Sequence, residues 1–301
     1  MYRTVTLFII VLQASPALGD TLHELIRNRA AATEQNFEDD PASALPKIPW
    51  VTQTETRRSL SGDLGVTRFT SSDVTSKEFG AGLFGQLHYS KLEQPDVVGM
   101  WGQSWELGLD TGFGADGTRY YGRGSATANF GTMATLSAAR HAFYLRFAAN
   151  LASFRDSSDS YSLGKVSIPM GFRFELKGAT LELGGVPALG WASVLHNGQE
   201  TSSGPLFFGA EAKVETKVGY LELERLFAAS PADADQTALH TCGRYRQLVL
   251  CAEGTWLRLR DIGRGDSANF ARVGINIGFG SWQRRTERSE RKWVAPETST
   301  R

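Results

Sequence analysis

The 301-residue chain is predicted to be all-β, an antiparallel up-and-down transmembrane barrel of ten to twelve strands. Three observations predict it. From about residue 60 onward, apolar residues recur at every second position, the period of a strand with one greasy face. The residues between them are Gly, Ser, Thr and Asn with charges of both signs, whereas a sheet face in bulk water would be rich in Lys and Glu. The alternating segments also reach the roughly 9–11 residues that a tilted strand needs to cross a bilayer.

The N-terminus reads as an export signal. Met1-Tyr2-Arg3 is a short basic start, Val5 to Leu12 is an apolar core, and Ala17-Leu18-Gly19 supplies small residues for cleavage before Asp20. The apolar run is too short to span a bilayer as a helix, which takes about 20 residues. Residues 20–58 then read as a periplasmic helix, TLHELIRNRAAATEQNFEDD, followed by the Pro-containing linker PASALPKIPW.

Alternation marks the strands of a barrel over 59–280. Segment 79–92 sets Phe79, Ala81, Leu83, Leu87 and Tyr89 against Gly80, Gly82, Gln86, His88 and Ser90. Segments 101–113, 122–137, 141–154, 166–177, 179–193, 205–216, 218–228 and 246–260 repeat the design, with Arg225 falling on an apolar face. The last, ARVGINIGFG from Ala271 to Gly280, alternates without a break. Residues 59–70 and 237–245 are candidate further strands, so the count stands between ten and twelve, with twelve preferred because bacterial single-chain barrels have even numbers. The polar stretches RDSSDSYSLG, HNGQETSSG and AASPADADQTALH read as long loops on one end, and SAARH, KGA and ETKVG as tight turns on the other.

The polar faces define a lumen. Glu106, Asp110, Arg123, Arg146, Arg173, Glu175, Glu182, Glu211, Lys213, Glu215, Glu222, Glu224, Glu253 and Arg272 are expected to line it, since small and oppositely charged side chains suit a narrow interior where each charge needs a partner. Trp101, Phe113, Tyr121, Phe143, Trp191, Phe208 and Trp256 lie toward strand ends, where aromatic girdles meet lipid headgroups.

Within the last segment, Arg272, Gly274, Ile277 and Phe279 form a polar residue, a glycine and two alternating hydrophobics. This pattern resembles the β-signal of outer-membrane β-barrel proteins of Gram-negative bacteria. The resemblance implies that the outer-membrane barrel-assembly machinery reads this strand and that a lipid bilayer surrounds it. The family usually stops at a terminal aromatic, whereas this chain continues for 22 residues. That continuation, 281–301, carries Arg284, Arg285, Arg288, Arg291 and Lys292 and reads as a solvated basic tail, or as a contact for a periplasmic protein or cell-wall polymer.

Chemistry is sparse. Lys plus Arg and Asp plus Glu balance at 32 each, so no basic excess is present to hold nucleic acid. No nucleophile elbow, metal-spaced His or Cys cluster or phosphate loop occurs, and no cofactor or metal is expected. The PADADQ stretch is acidic but lacks calcium-loop spacing. His88 with Ser104 or Asp110 could be drawn as a hydrolytic pair. Cys242 and Cys251 are a plausible disulfide in an exported chain. The expected function is a narrow pore or a scaffold subunit of an envelope transport or assembly complex. A barrel hydrolase acting on lipid or envelope polymer and a soluble secreted β-sandwich binding protein are the alternatives.

Overall fold

The computed structural model describes residues 47–71, 75–117, 119–137, 139–204, 206–228, 233–260 and 267–292; the expected signal peptide and the helix expected after Asp20 lie outside them. The described strands are β1 (Lys47–Thr70), β2 (Thr75–Pro95), β3 (Trp101–Asp116), β4 (Arg119–Thr135), β5 (Ala142–Arg155), β6 (Ser160–Ser167), β7 (Met170–Leu176) and β8 (Ala179–Gly185). They continue as β9 (Ala188–His196), β10 (Gln199–Ser203), β11 (Leu206–Thr216), β12 (Gly219–Ala228), β13 (Asp233–Tyr245), β14 (Leu248–Arg260) and β15 (Ser267–Lys292). Residues Trp50–Arg288 form one compact unit, and the description below concerns that unit.

Three pairs of these strands are halves of single wall strands. Ser167 pairs with Ala188 on one side of a gap and Met170 with Gly185 on the other, in one unbroken register. Pro169 and Pro187 sit in the gap, and a proline has no N–H to give to a ladder. Ile168 N still bonds Pro187 O at 3.0 Å, so the ladder loses bonds without slipping. Likewise β10 and β11 both follow β9 in the same register. Joining β6 to β7, β8 to β9 and β10 to β11 leaves twelve antiparallel strands. Because β1 neighbours β15, the sheet closes on itself.

Both uncertain segments are therefore strands: 59–70 belongs to β1 and 237–245 to β13. The even number returns the chain to the rim it started from. That rim, here the lower one, carries the connections 177–178, 217–218 and 246–247, and the upper rim carries 117–118, 156–159 and 197–198. The expected long loops are mostly strand. HNGQETSSG turns in two residues, with Asn197 at φ 49° and Gly198 at φ 82°, the left-handed pair that a tight hairpin requires. RDSSDSYSLG connects through 156–159 alone. Polarity marked these stretches as loops, but Ser and Thr are tolerated in strands that project beyond the bilayer. The strands also exceed the expected barrel limits of 59 and 280, since β1 begins at Lys47 and β15 runs to Lys292.

The two faces of the wall are inverted relative to a soluble protein. Along β15, Val273, Ile275, Ile277 and Phe279 are all about half exposed or more, while Arg272 and Asn276 are buried. Leu60, Leu64, Phe79, Leu83, Phe113, Phe130 and Phe147 are exposed in the same way around the ring. A continuous apolar belt of this kind is a lipid-facing surface, far beyond the patch a water-soluble monomer exposes. Closure removes the soluble β-sandwich from consideration. On β14 the belt runs from Leu248 to Trp256, nine residues before Arg258, or about 21 Å of height for a strand tilted by about 40°. On β1 it lies between Arg58 and Arg68, and on β2 it begins at Phe79, below Lys77. Arg225 sits on the outer face and pairs with Asp235 at 3.3 Å.

One aromatic expected in the girdle points the other way. Tyr120 is the outward residue at the top of β4, and Tyr121 faces inward and is buried. A charge placed in the belt has no partner there. Ile275→Arg is expected to lower stability by about 2–4 kcal/mol at mid-belt, measured as the urea midpoint in lipid vesicles; an unchanged midpoint would place that face in water.

Candidate functional site: the charged lumen

The interior is layered along the strand axis, and each layer follows from which side chains the period of two turns inward. Reading β15 from its upper end, the inward residues are Phe270, Arg272, Asn276, Trp282 and Arg284; on β5 they are Phe154, Asn150, Arg146 and Tyr144. Both pass from apolar to charged to mixed.

The upper layer is an apolar plug. Phe69, Phe154, Tyr161, Val194, Phe207, Leu226, Leu257, Leu259 and Phe270 form one buried cluster. Tyr161 stacks on Phe270 with ring centroids 4.5 Å apart, and Phe69 meets Phe270 edge-on at 5.1 Å. This layer was missed in the sequence because the pattern reverses above the belt, where apolar residues face inward: Phe154 lies between Ser153 and Arg155, and Phe69 between Arg68 and Thr70.

The middle layer is ionic. Asp63 accepts from Tyr121 Oη at 2.8 Å, Arg123 Nη2 at 2.9 Å and Arg272 Nη2 at 2.7 Å. Glu253 pairs with both arginines, and Arg123 also donates to Asn276 Oδ1 at 2.8 Å. Across the lumen Glu182 holds Arg146 and Arg173, each at 2.8 Å, and Arg173 reaches Glu175 at 3.1 Å. Glu211 accepts from Tyr144 Oη at 2.8 Å, Glu106 takes His88, Asn129 and Lys213, and Glu224 pairs with Lys165. Asp110 accepts from Ser125 Oγ at 3.0 Å. Among these groups lies a cavity of about 300 Å³ that Glu222 also lines.

Glycines on the inner face make this layer possible. A Cβ at Gly65 would lie 2.6 Å from the Arg272 guanidinium, and Cβ atoms at Gly80 and Gly114 would strike the Tyr121 ring. The inward glycines are slots for long neighbours.

The lower layer mixes the two kinds. Arg57 pairs with Glu55 and lies over the rings of Tyr220 and Trp282, 4.0 and 4.5 Å from their centroids. Arg284 folds into the same mouth against Glu55 and Glu215. It is therefore part of the barrel mouth instead of a solvated tail. Cys242 and Cys251 face each other across β13 and β14 and are disulfide-bonded, packed with Tyr220 and Val249.

The structure thus turns all fourteen charged residues singled out in the sequence to the inner face. Asp63, Glu55, Arg57, Tyr121 and Lys165 were not anticipated. Asp63 lay in a segment left open as strand or plug, and Lys165 fell one residue before the start assigned to its strand. The hydrolytic pairing does not form. His88 lies opposite Gly108 in the register, so Glu106 is its diagonal neighbour and takes its Nε2, while Ser104 lies opposite Leu92, too far along the strand. Asp235 of the PADADQ stretch is held by Arg225.

No protein-family model and no curated protein matches the sequence. Solved structures with a similar fold include the translocator domain of autotransporter NalP from Neisseria meningitidis, at 11% identity and TM-score 0.33, covering 86% of this chain and 96% of that one. The outer membrane protease OmpT from Escherichia coli gives 10%, 0.28, 79% and 97%. The anion-selective porin from Comamonas acidovorans gives 11%, 0.29, 75% and 100%. Likeness at this level carries no function, and the assignment rests on the barrel itself. The fold is that of an outer-membrane β-barrel.

The ionic layer should be fragile to single deletions. Asp63→Ala leaves two buried guanidinium groups on Glu253, with an expected loss of about 3–5 kcal/mol in the urea midpoint. Adding Arg272→Met should restore part of that loss, and a null effect of Asp63→Ala would mean that water already solvates the layer.

Proposed function

We propose that the protein is a scaffold barrel of the outer membrane, exported by its N-terminal signal, assembled through the β-signal-like strand, and closed to free diffusion. The carrying observation is the pair of stacked interior layers: an apolar plug of buried aromatics above a network in which paired arginines and carboxylates span the lumen. A cavity of about 300 Å³ holds on the order of ten waters, each taking about 30 Å³. Mixed charge offers no selective ring of the kind an ion channel presents. The narrow-pore reading would need both layers to move.

In this reading the lower rim faces the periplasm. Beyond the last rung to β14, where Gly280 N bonds Gln247 O at 2.9 Å, β15 continues without β14 beside it. Over 281–288 both Arg285 and Arg288 are exposed, Arg285 on the outward side of the strand beside Glu287 at 2.7 Å. This basic strand end suits an anionic partner in the cell wall or an acidic periplasmic protein. Among the described residues His88 is held by Glu106 and Ser104 lies opposite Leu92, so the hydrolytic pairing drawn from the sequence gains no support.

In planar bilayers the purified protein is expected to give no stable conductance steps. Steps of open-porin size from the intact chain would overturn the closed-scaffold reading. Co-sedimentation with purified cell-wall sacculi should fall on Arg285→Glu with Arg288→Glu; sedimentation that does not respond to those charges would remove the basic strand end from the proposal.

A further inference from the structure

At the upper rim, above the apolar plug, the chain gathers carboxylates from the ends of β2 and β3 and from the connection between β5 and β6. Glu78 points inward at the top of β2, level with the outward Lys77 and outside the apolar belt. Asp116 ends β3, Asp156 and Asp159 lie in the connection from β5 to β6, and Arg119 opens β4. Asp159 is 1% exposed and Asp156 6%.

One oxygen of Glu78, of Asp156 and of Asp159 is accounted for. Asp156 Oδ1 accepts from Ser158 N and Asp159 N, each at 2.8 Å. Asp159 Oδ1 faces His196 Nδ1 at 2.8 Å and accepts from Asn197 N at 3.3 Å. Glu78 Oε1 accepts from Arg119 Nη1 at 2.6 Å. The second oxygens have no hydrogen-bond partner although they are shielded from solvent: Glu78 Oε2, Asp156 Oδ2, Asp159 Oδ2 and also Asp116 Oδ1. Arg119 comes only within 3.7 Å of Asp159 Oδ2. Four carboxylates against one arginine leave an acidic excess that buried groups do not sustain alone.

We propose that Glu78, Asp156 and Asp159 form a binding site for a hard divalent cation of the calcium type, with Asp116 as a neighbouring acceptor. Ligand oxygens of the three lie within 4.8 Å of one another. Two oxygens on opposite sides of a calcium ion, each at about 2.4 Å, are separated by about that distance. All the donors are oxygens, which selects calcium or magnesium over zinc or copper. The cation would tie β2 to the β5–β6 connection, and through Asp159 and His196 to the end of β9. The other His–Cys grouping of this geometry, His240 with Cys242 and Cys251, is not a competitor, because its sulfurs are joined to each other.

The test uses the full chain refolded in detergent and stripped with chelator. Calorimetric titration should show one calcium ion per chain, and thermal unfolding should shift upward with calcium relative to chelator. Asp156→Asn keeps the Oδ1 acceptor that shapes the connection and removes a charge from the site. It should weaken calcium binding by about tenfold or more while melting no lower than the unmodified protein in chelator. Absence of both a binding heat and a calcium-dependent melting shift in the unmodified protein would overturn the proposal. So would calcium affinity that stays the same in both Asp156→Asn and Glu78→Gln, which would put the ion elsewhere.

Discussion

Closure of the sheet between β1 and β15 is the constraint on which the rest depends. In hydrocarbon an unpaired backbone N–H or C=O costs several kcal/mol, so a sheet can cross a bilayer only as a ring with no edge. The contact is tight where the ring closes: Gly278 lies against the Leu60 carbonyl and Gly280 against that of Arg58, with no room for a Cβ at either. Once the ring is shut, the period of two leaves one decision. Apolar residues must face lipid, and charged residues at the height of the belt converge on the lumen.

That convergence explains the composition of the inner face. Charges withdrawn from water need partners at short range, and equal totals of acids and bases let them find one another across the lumen. Asp63 serves Arg123 and Arg272 from one side while Glu253 serves the same pair from the other. Glu182 does the same for Arg146 and Arg173. Each shared carboxylate ties together strands that are not neighbours in the ring, which hydrogen bonds within the wall cannot do. The price of such bridges is space, and glycine at 65, 80 and 114 provides it.

How much of this was legible in sequence depends on what kind of signal each feature leaves. The lumen charges were readable one strand at a time because parity alone assigns a face, and Glu182 or Arg272 needs no knowledge of its partner. Tyr121 was assigned to the outer girdle because two adjacent tyrosines give no parity, and only the register beside Gly80 and Gly114 decides between them. Phe154 and Phe270 were hidden for a different reason: near the upper strand ends the parity reverses, with Ser153, Arg155 and Asn269 turned outward and the rings inward, so a rule that sends apolar residues to lipid fails there. The upper-rim carboxylates come from positions 78, 116, 156 and 159, which no spacing rule connects. They meet only because β2, β3 and β5 stand in order around the ring.

The apolar plug and the ionic network strengthen each other. An ion pair gains from a lower local dielectric, while an isolated charge suffers from it. By filling the upper interior, Phe154, Tyr161 and Phe270 keep bulk water from reaching the pairs below; Arg272 lies 5.5 Å from the Phe154 ring and 5.2 Å from that of Tyr121. The pairs in turn fix the strands whose ends carry those rings: Arg272 and Phe270 are two residues apart on β15, and Arg123 and Tyr121 two apart on β4. Loosening either layer wets the other. A barrel built this way resists partial opening, because a small gap in the plug weakens charge pairs across the lumen. Such cooperativity suits a rigid anchor in the membrane better than a passage with a light gate.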